Sequence, residues 1–182
     1  LQSYIIIGAG TIMNASKTIR VAVIGCGRIS GHHCRSIAKT PGIELAAVCD
    51  RRAGLEARRL GLPASVRRMR DWAALAADPG VDVVVELFGG IDAARRLVLE
   101  SLAAGKHVVT GNKQLLSRCW NEVFSAARAG GRKVYFEAAV AGAIPIISAL
   151  RSGLAANRIY SVHGILNGTT NYILSRMAKA GL

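Results

Sequence analysis

Aromatic side chains are scarce in this chain. Phe, Trp and Tyr make up 5% of its 182 residues, so a core drawn from the 51% apolar share has to be built of Ala, Val, Ile and Leu. The same scarcity leaves no aromatic residues interleaved among the arginines to stack bases, and the densest basic cluster is only Arg67, Arg68 and Arg70. Acidic residues are also few, 11 against 24 basic ones, for a net charge of +13. Without a stacking platform, that charge reads as an arginine-rich surface favouring anionic, phosphate-bearing ligands, and nucleic acid is not expected as a partner. The cysteines (Cys26, Cys34, Cys49, Cys119) lack C-x-x-C spacing and partnered histidines, which argues against a disulfide framework or a zinc site and for a reducing cytoplasm. No apolar run approaches the ~20 residues that cross a bilayer, so no membrane is expected. The apolar stretch Tyr4 to Met13 has neither a basic leader nor an A-x-A cleavage site and makes a poor signal peptide.

What is abundant is glycine, with twenty residues, and a regular alternation of apolar runs with helical patterns. The length allows one domain, or one domain plus the beginning of another. Strand-like runs are RVAVI (20–24), IELAAVC (43–49), VDVVVELF (81–88), HVVT (107–110) and KVYFEA (133–138). Amphipathic segments lie between them around Ser30–Lys39, Ala53–Leu60, Trp72–Ala77, Ala93–Ala104 and Leu115–Ala129, with glycines near their ends as C-caps tend to have. Near-continuous apolar strands separated by helices predict an α/β fold of the Rossmann type, a doubly wound parallel sheet covered on both faces. After Gly142 the rhythm changes. PIISALRSGLA (145–155) reads as a helix with Pro145 in its first turn, RIYSVHGIL (158–166) as a strand, and TTNYILSRMAKA (169–180) as a helix. The expected division is an extension of unassigned role at 1–18, containing the faint strand-glycine echo IIIGAGTIM, a dinucleotide-binding domain at 19–142, and the beginning of a second, α+β domain at 143–182.

The first strand runs into Gly25-Cys26-Gly27-Arg28-Ile29-Ser30 and then a helix. This is G-x-G-x-x-[small]. Gly25 serves a tight turn, Gly27 removes the side chain where the backbone approaches a pyrophosphate, Ser30 is small enough for helix–strand packing, and the helix N-terminus faces the anion. Alone the motif is weak. Its placement between strand and helix, with Asp50 closing the second strand where a ribose-binding carboxylate belongs, strengthens it. Asp50 argues for NAD, whereas Arg51 and Arg52 directly after it could pair with a 2′-phosphate, so NAD and NADP both stay open. The His32-His33 pair reads as solvated or packed rather than ligating.

Two resemblances meet in this chain. GCGRIS through AVCD resembles the start of the glucose-fructose oxidoreductase/inositol dehydrogenase family. VDVVVELFGGIDAARRLVLESLAAGKHVVTGNKQLL, FEAAVAGAIPII and GILNGTTNYIL resemble homoserine dehydrogenases. The segment after GKHV separates the two: the sugar-dehydrogenase family continues with Glu-Lys-Pro, whereas Thr110-Gly111-Asn112-Lys113 is close to the Thr-Ala-Asn-Lys of homoserine dehydrogenases, and NGTTNY is specific to the latter. The resemblance runs from about residue 20 to 180.

The second resemblance implies reversible hydride transfer between L-homoserine and aspartate 4-semialdehyde with NAD(P), in threonine and methionine synthesis, by a cytoplasmic enzyme that is a homodimer when complete. It implies that Gly25, Cys26, Gly27, Arg28, Ile29 and Ser30 hold the pyrophosphate. Asp50 and Arg51 would lie at the ribose, Phe88 and Gly89 beside the nicotinamide, and Lys113 at the nicotinamide with its ammonium toward the substrate. In FEAAVAGAIP it implies a monovalent cation such as sodium at Glu137, Val140, Gly142 and Ile144, with Ala143 standing where the family usually has glycine. The family's substrate-binding glutamate and proton-handling lysine lie beyond the matched stretch, which makes Lys113 the one candidate catalytic group here. An N-terminal part of the enzyme would expose apolar side chains such as Ile146, Leu150, Leu166 and Ile173. The alternatives are a sugar- or inositol-type dehydrogenase and a non-catalytic dinucleotide-binding module.

Overall fold

A computed structural model of the chain describes residues 18–51, 59–142, 144–165 and 168–181. The IIIGAGTIM stretch, Arg52, most of the expected helix Ala53–Leu60, and the single positions Ala143, Leu166 and Asn167 lie outside the described residues. The elements run β1 (Ile19–Ile24), α1 (Ser30–Lys39), β2 (Ile43–Cys49), β3 (Arg67–Met69), α2 (Trp72–Ala77), β4 (Val83–Glu86), α3 (Asp92–Ala103), β5 (His107–Thr110), α4 (Lys113–Ala129), β6 (Val134–Tyr135), a 3-10 turn (Glu137–Ala139), α5 (Ile146–Ser148) and α6 (Gly168–Ala180).

All six strands are parallel, in the order β3-β2-β1-β4-β5-β6. The two-residue period of a strand divides each one between two covered faces. On one face Val21, Val23, Val83 and Val85 pack with Cys34 and Ile37 of α1, and on the other Ala22, Ile24 and Val84 pack with Leu75 of α2 and Leu97 of α3. A third cluster joins β5 and β6 to α3 and α4 through Val98, Leu102, Val108, Leu115 and Val123. Both faces are dry, which is why the strands read as unbroken apolar runs and why the α/β reading holds.

Three segments differ from the sequence expectation. Arg67–Met69 is a strand, hidden in the sequence because an edge strand can carry arginine: Arg67 pairs with Asp78, and Arg68 donates to the Leu62 carbonyl at 3.2 Å. KVYFEA shortens to Val134–Tyr135. Phe136 leaves the extended conformation (φ −143°, ψ 24°), is buried against Trp120 and Phe124, and leads into the 3-10 turn. After Pro145 only Ile146–Ser148 is α-helical before a wide turn over Ala149–Gly153, and the described residues 158–165 form no strand. A strand needs a neighbouring ladder, and these exposed residues have none among the described residues. The last expected helix is present as α6. Of the apolar side chains expected at the surface, Ile173 is 50% exposed, while Ile146 and Leu150 are half-buried. Among the described residues no helix is long and apolar enough to cross a membrane.

Candidate functional site

Strand order reverses between β1 and β4: β2 and β3 lie to one side of β1, and β5 and β6 continue beyond β4. Such a switch point leaves a crevice at the carboxyl ends of the strands, where open α/β sheets bind their ligands. The loops that meet there are Gly25–Ile29 after β1 and Leu87–Ile91 after β4.

They meet closely. Gly25 has φ +90°, and a Cβ on it would sit 2.8 Å from the Phe88 nitrogen and 2.9 Å from the Phe88 Cβ, so no side chain fits. Gly27 is the opposite case, with nothing within 4 Å of where a Cβ would stand. The space beside its backbone is therefore open, as a loop that lets backbone approach a ligand requires. Ser30 is fully buried, and its hydroxyl donates to the Gly27 carbonyl at 2.7 Å, so it both fills the small-residue position and braces the loop. Helix α1 starts behind the loop with no side-chain cap and no acidic residue in its first turn. The Ser30 and His32 N–H groups donate to the Gly27 and Ile29 carbonyls, so what favours an anion there is chiefly the positive end of the helix dipole. Arg28 and Ile29 are exposed in the first loop, Ile29 at 54%, and Phe88 in the second at 37%.

The Asp50 carboxylate sits at the end of β2, where Oδ2 accepts from the Cys26 N–H at 2.9 Å; Arg51 follows it, exposed. Arg59, which nothing in the sequence sets apart from the other scattered arginines, donates to the Cys26 and Gly27 carbonyls at 2.8 and 3.1 Å. The Cys49 thiol beneath the loop is pushed up to about 11 by burial, with Asp71 and Asp50 adding to the shift. It is a packing residue and not a nucleophile at neutral pH. His33 is held below the usual imidazole range by burial and by His32.

One strand further, the Leu87–Ile91 loop is tied to the start of α4. The Glu86 carboxylate, 1% exposed, accepts from the Phe88 and Gly89 N–H groups and from the Thr110 hydroxyl. Asn112 caps α4 by accepting from the Leu115 N–H at 3.1 Å and donates from Nδ2 to the Gly90 carbonyl at 2.6 Å. Lys113 is the first residue of α4 and is exposed. The structure thus gathers Gly25–Ser30, Asp50, Phe88 and Gly89 at the switch point and sets Lys113 on the adjoining edge. Glu86 lies inside the apolar run VDVVVELF, where spacing does not single it out, yet a carboxylate closing a run of valines is itself a signal.

Glu137, Val140, Gly142 and Ile144 follow β6 in a turn where Ala141 and Gly142 have φ +52° and +45°. Both Glu137 carboxylate oxygens are engaged, accepting from the Ile147 and Ser148 N–H groups at 2.9 Å. No cluster of three His, Cys, Asp or Glu side chains suited to a metal occurs among the described residues.

Comparison with known proteins gives the family. The family model for the NAD-binding domain of homoserine dehydrogenase matches residues 25–137, and the homoserine dehydrogenase model matches residues 145–182. A homoserine dehydrogenase of Neisseria gonorrhoeae is 44% identical over 174 residues, 91% of this chain and 39% of the relative. The crystal structure of a homoserine dehydrogenase from Thiobacillus denitrificans superposes with a TM-score of 0.74 at 42% identity, covering 91% of this chain and 40% of that one. A 3-ketoreductase from Actinomadura kijaniata, solved with NADP, superposes with a TM-score of 0.52 at 26% identity, covering 64% of this chain and 37% of that one. The sugar-type alternative is therefore not favoured. The chain spans about two-fifths of the length of the homoserine dehydrogenases it matches, and on these matches it belongs to the homoserine dehydrogenase family.

Proposed function

We propose that residues 19–142 are the NAD(P)-binding domain of a homoserine dehydrogenase and that residues 143–182 begin its substrate and dimerisation domain. The reaction is the exchange of L-homoserine and aspartate 4-semialdehyde by a complete enzyme that is a homodimer. The observation that carries the reading is the open space at Gly27 in front of the α1 N-terminus, at the switch point of a parallel sheet. A dinucleotide fits these residues: amides and a helix N-terminus for the pyrophosphate, the Asp50 carboxylate and Arg51 beside the ribose, and the apolar faces of Ile29 and Phe88 along the crevice.

The nicotinamide, when bound, supplies the hydride acceptor. The protein's own part is to hold the donor alcohol and take its proton. An alcohol carbon loses hydride only as its hydroxyl sheds a proton, so a positioned base or a cation that stabilises the alkoxide is required. The family's proton-handling lysine lies beyond the matched stretch; within this chain Lys113 is the candidate group to face the substrate, presented from the first turn of α4 with Asn112 locked beside it. At the β6 edge a cation such as sodium would be held by Glu137 together with backbone carbonyls of Val140, Gly142 and Ile144, the Glu137 carboxylate being fixed there by the Ile147 and Ser148 N–H groups. An all-oxygen set of this kind suits a hard monovalent ion.

The experiment is a fluorescence titration of the purified chain with NADH and NADPH, alongside Gly27→Val. The variant is expected to fold with an unchanged melting temperature, since its side chain meets open space, and to lose binding. Equal binding by the variant, or no binding of either cofactor by the folded wild-type chain, would overturn the reading.

A further inference from the structure

Glu86 stands at the last position of β4, behind three valines, and its carboxylate is almost completely removed from water. A buried carboxylate is tolerated only when its oxygens are satisfied. Here the donors come from two different loops. Oε1 accepts from Phe88 and Gly89 N–H at 3.0 and 2.9 Å, which draws the backbone after β4 inward over two glycines of positive φ, Gly89 at +72° and Gly90 at +77°. Oε2 accepts from the Thr110 hydroxyl at 2.6 Å, at the end of β5.

The chain of contacts continues. Thr110 Oγ1 accepts from the Asn112 N–H at 3.0 Å, and the Asn112 amide returns to the Gly90 carbonyl at 2.6 Å. The hydrogen bonds thus close a ring that leaves the β4 loop through Glu86, passes through Thr110 and Asn112, and re-enters the loop at Gly90. The same Asn112 side chain caps α4, whose first residue is Lys113. An apolar residue at position 86 would cap the core equally well but could not organise this ring.

We infer that Glu86 is a positioning residue for the nicotinamide half of the cofactor site. Through Thr110 and Asn112 it fixes the Phe88–Gly90 loop and the start of α4, with Lys113, in one arrangement, and it does not itself touch the cofactor. This rests on the dinucleotide reading given above. The adenosine half of the site depends on Gly25–Ser30, Asp50 and Arg59, which are tied to one another through Asp50 to Cys26, Ser30 to Gly27, and Arg59 to Cys26 and Gly27. The two halves should therefore respond separately.

The test compares NADH with ADP-ribose, which lacks the nicotinamide, on the full chain. Glu86→Gln keeps the shape but turns one acceptor into a donor facing donors. It is expected to weaken NADH about tenfold, the scale of one charged hydrogen bond, and to leave ADP-ribose within about twofold. Thr110→Val should repeat the pattern and Thr110→Ser should restore wild-type binding. Thr110→Val carries the test alone if Glu86→Gln does not fold. An equal loss for both ligands, or no loss for NADH, overturns the inference, as does a wild-type chain that binds NADH no more tightly than ADP-ribose. A folded wild-type chain that binds neither ligand overturns the dinucleotide reading itself, and the inference with it.

Discussion

The sheet region, residues 18–142, and the stretch 144–181 use similar apolar residues with opposite outcomes. In the first, Val83, Val84 and Val85 are 9%, 0% and 1% exposed. In the second, every described residue from Arg151 onward is exposed, with Tyr160 at 86%, Ile165 at 69% and Leu174 at 59%. Composition does not make the difference; coverage does. Each strand of the sheet has a neighbour on either side or a helix on its face, whereas the 13 residues of α6 bury none of their side chains. An isolated helix of that length is marginal in water, because most helical stability comes from packing an apolar face. A sequence therefore announces that a segment will bury a face well before it reveals against what.

The largest effect should come from setting one leucine of each region against the other. Leu97 is fully buried between α3 and the sheet, and Leu97→Ala is expected to cost about 2–5 kcal/mol in urea unfolding through lost transfer energy and the cavity left behind. Leu174→Ala on α6 should stay within about 0.5 kcal/mol, since its side chain is 59% exposed on a helix with no buried residue. If Leu174→Ala cost as much as Leu97→Ala, α6 would have to be packed, and the contrast between the regions would fail.

A smaller effect tests whether function sits with the packed region. Asp50 closes β2 and holds the Cys26 N–H. Asp50→Ala should weaken NAD about tenfold, because a ribose hydroxyl loses a charged acceptor, and should weaken NADP less, because the carboxylate opposes a 2′-phosphate. Calorimetric titration of both cofactors measures the ratio. An equal loss for both would make Asp50 a brace for the glycine loop and leave selectivity to Arg51.

Legibility followed the same division. The α1 and α2 bounds, Ser30–Lys39 and Trp72–Ala77, and the β2 bounds coincide with the sequence reading, because burial on a fixed face imposes a period on the residues. Arg67–Met69 escaped notice because an edge strand bonded along one side needs no apolar alternation. RIYSVHGIL has strand composition but no described ladder, and β-propensity is fulfilled only against a neighbour. At the site, the glycines, Asp50 and Lys113 could be named from spacing and resemblance. The ring through Glu86, Thr110 and Asn112 could not, since it joins three elements whose adjacency only the strand order reveals.

The smallest expected effect is a pH dependence that belongs to the sheet region. His33 and His107 are both held below the usual imidazole range: His33 by burial and then by His32, His107 by burial and then by Arg132 and Lys133. For His107 the geometry agrees, since Nδ1 accepts from the Lys133 N–H at 3.0 Å and a proton on that nitrogen would abolish the bond. A histidine with a depressed folded pKa is protonated more readily in the unfolded chain. Stability is therefore full above the unfolded value near 6.5 and declines as pH falls from there toward the lower folded value. Burial alone would raise the Asp78 carboxyl, but the Gly80 N–H and Arg67 hold it low, so its contribution is lost only at still more acid pH. The melting temperature should accordingly drop between about pH 7 and about pH 5. His107→Asn, whose side-chain oxygen can take the place of Nδ1 as acceptor without titrating, should flatten the drop while leaving the value near neutrality almost unchanged. An unaltered slope in that variant would remove His107 from the account and leave His33, beside the glycine loop on α1, as the group to replace next.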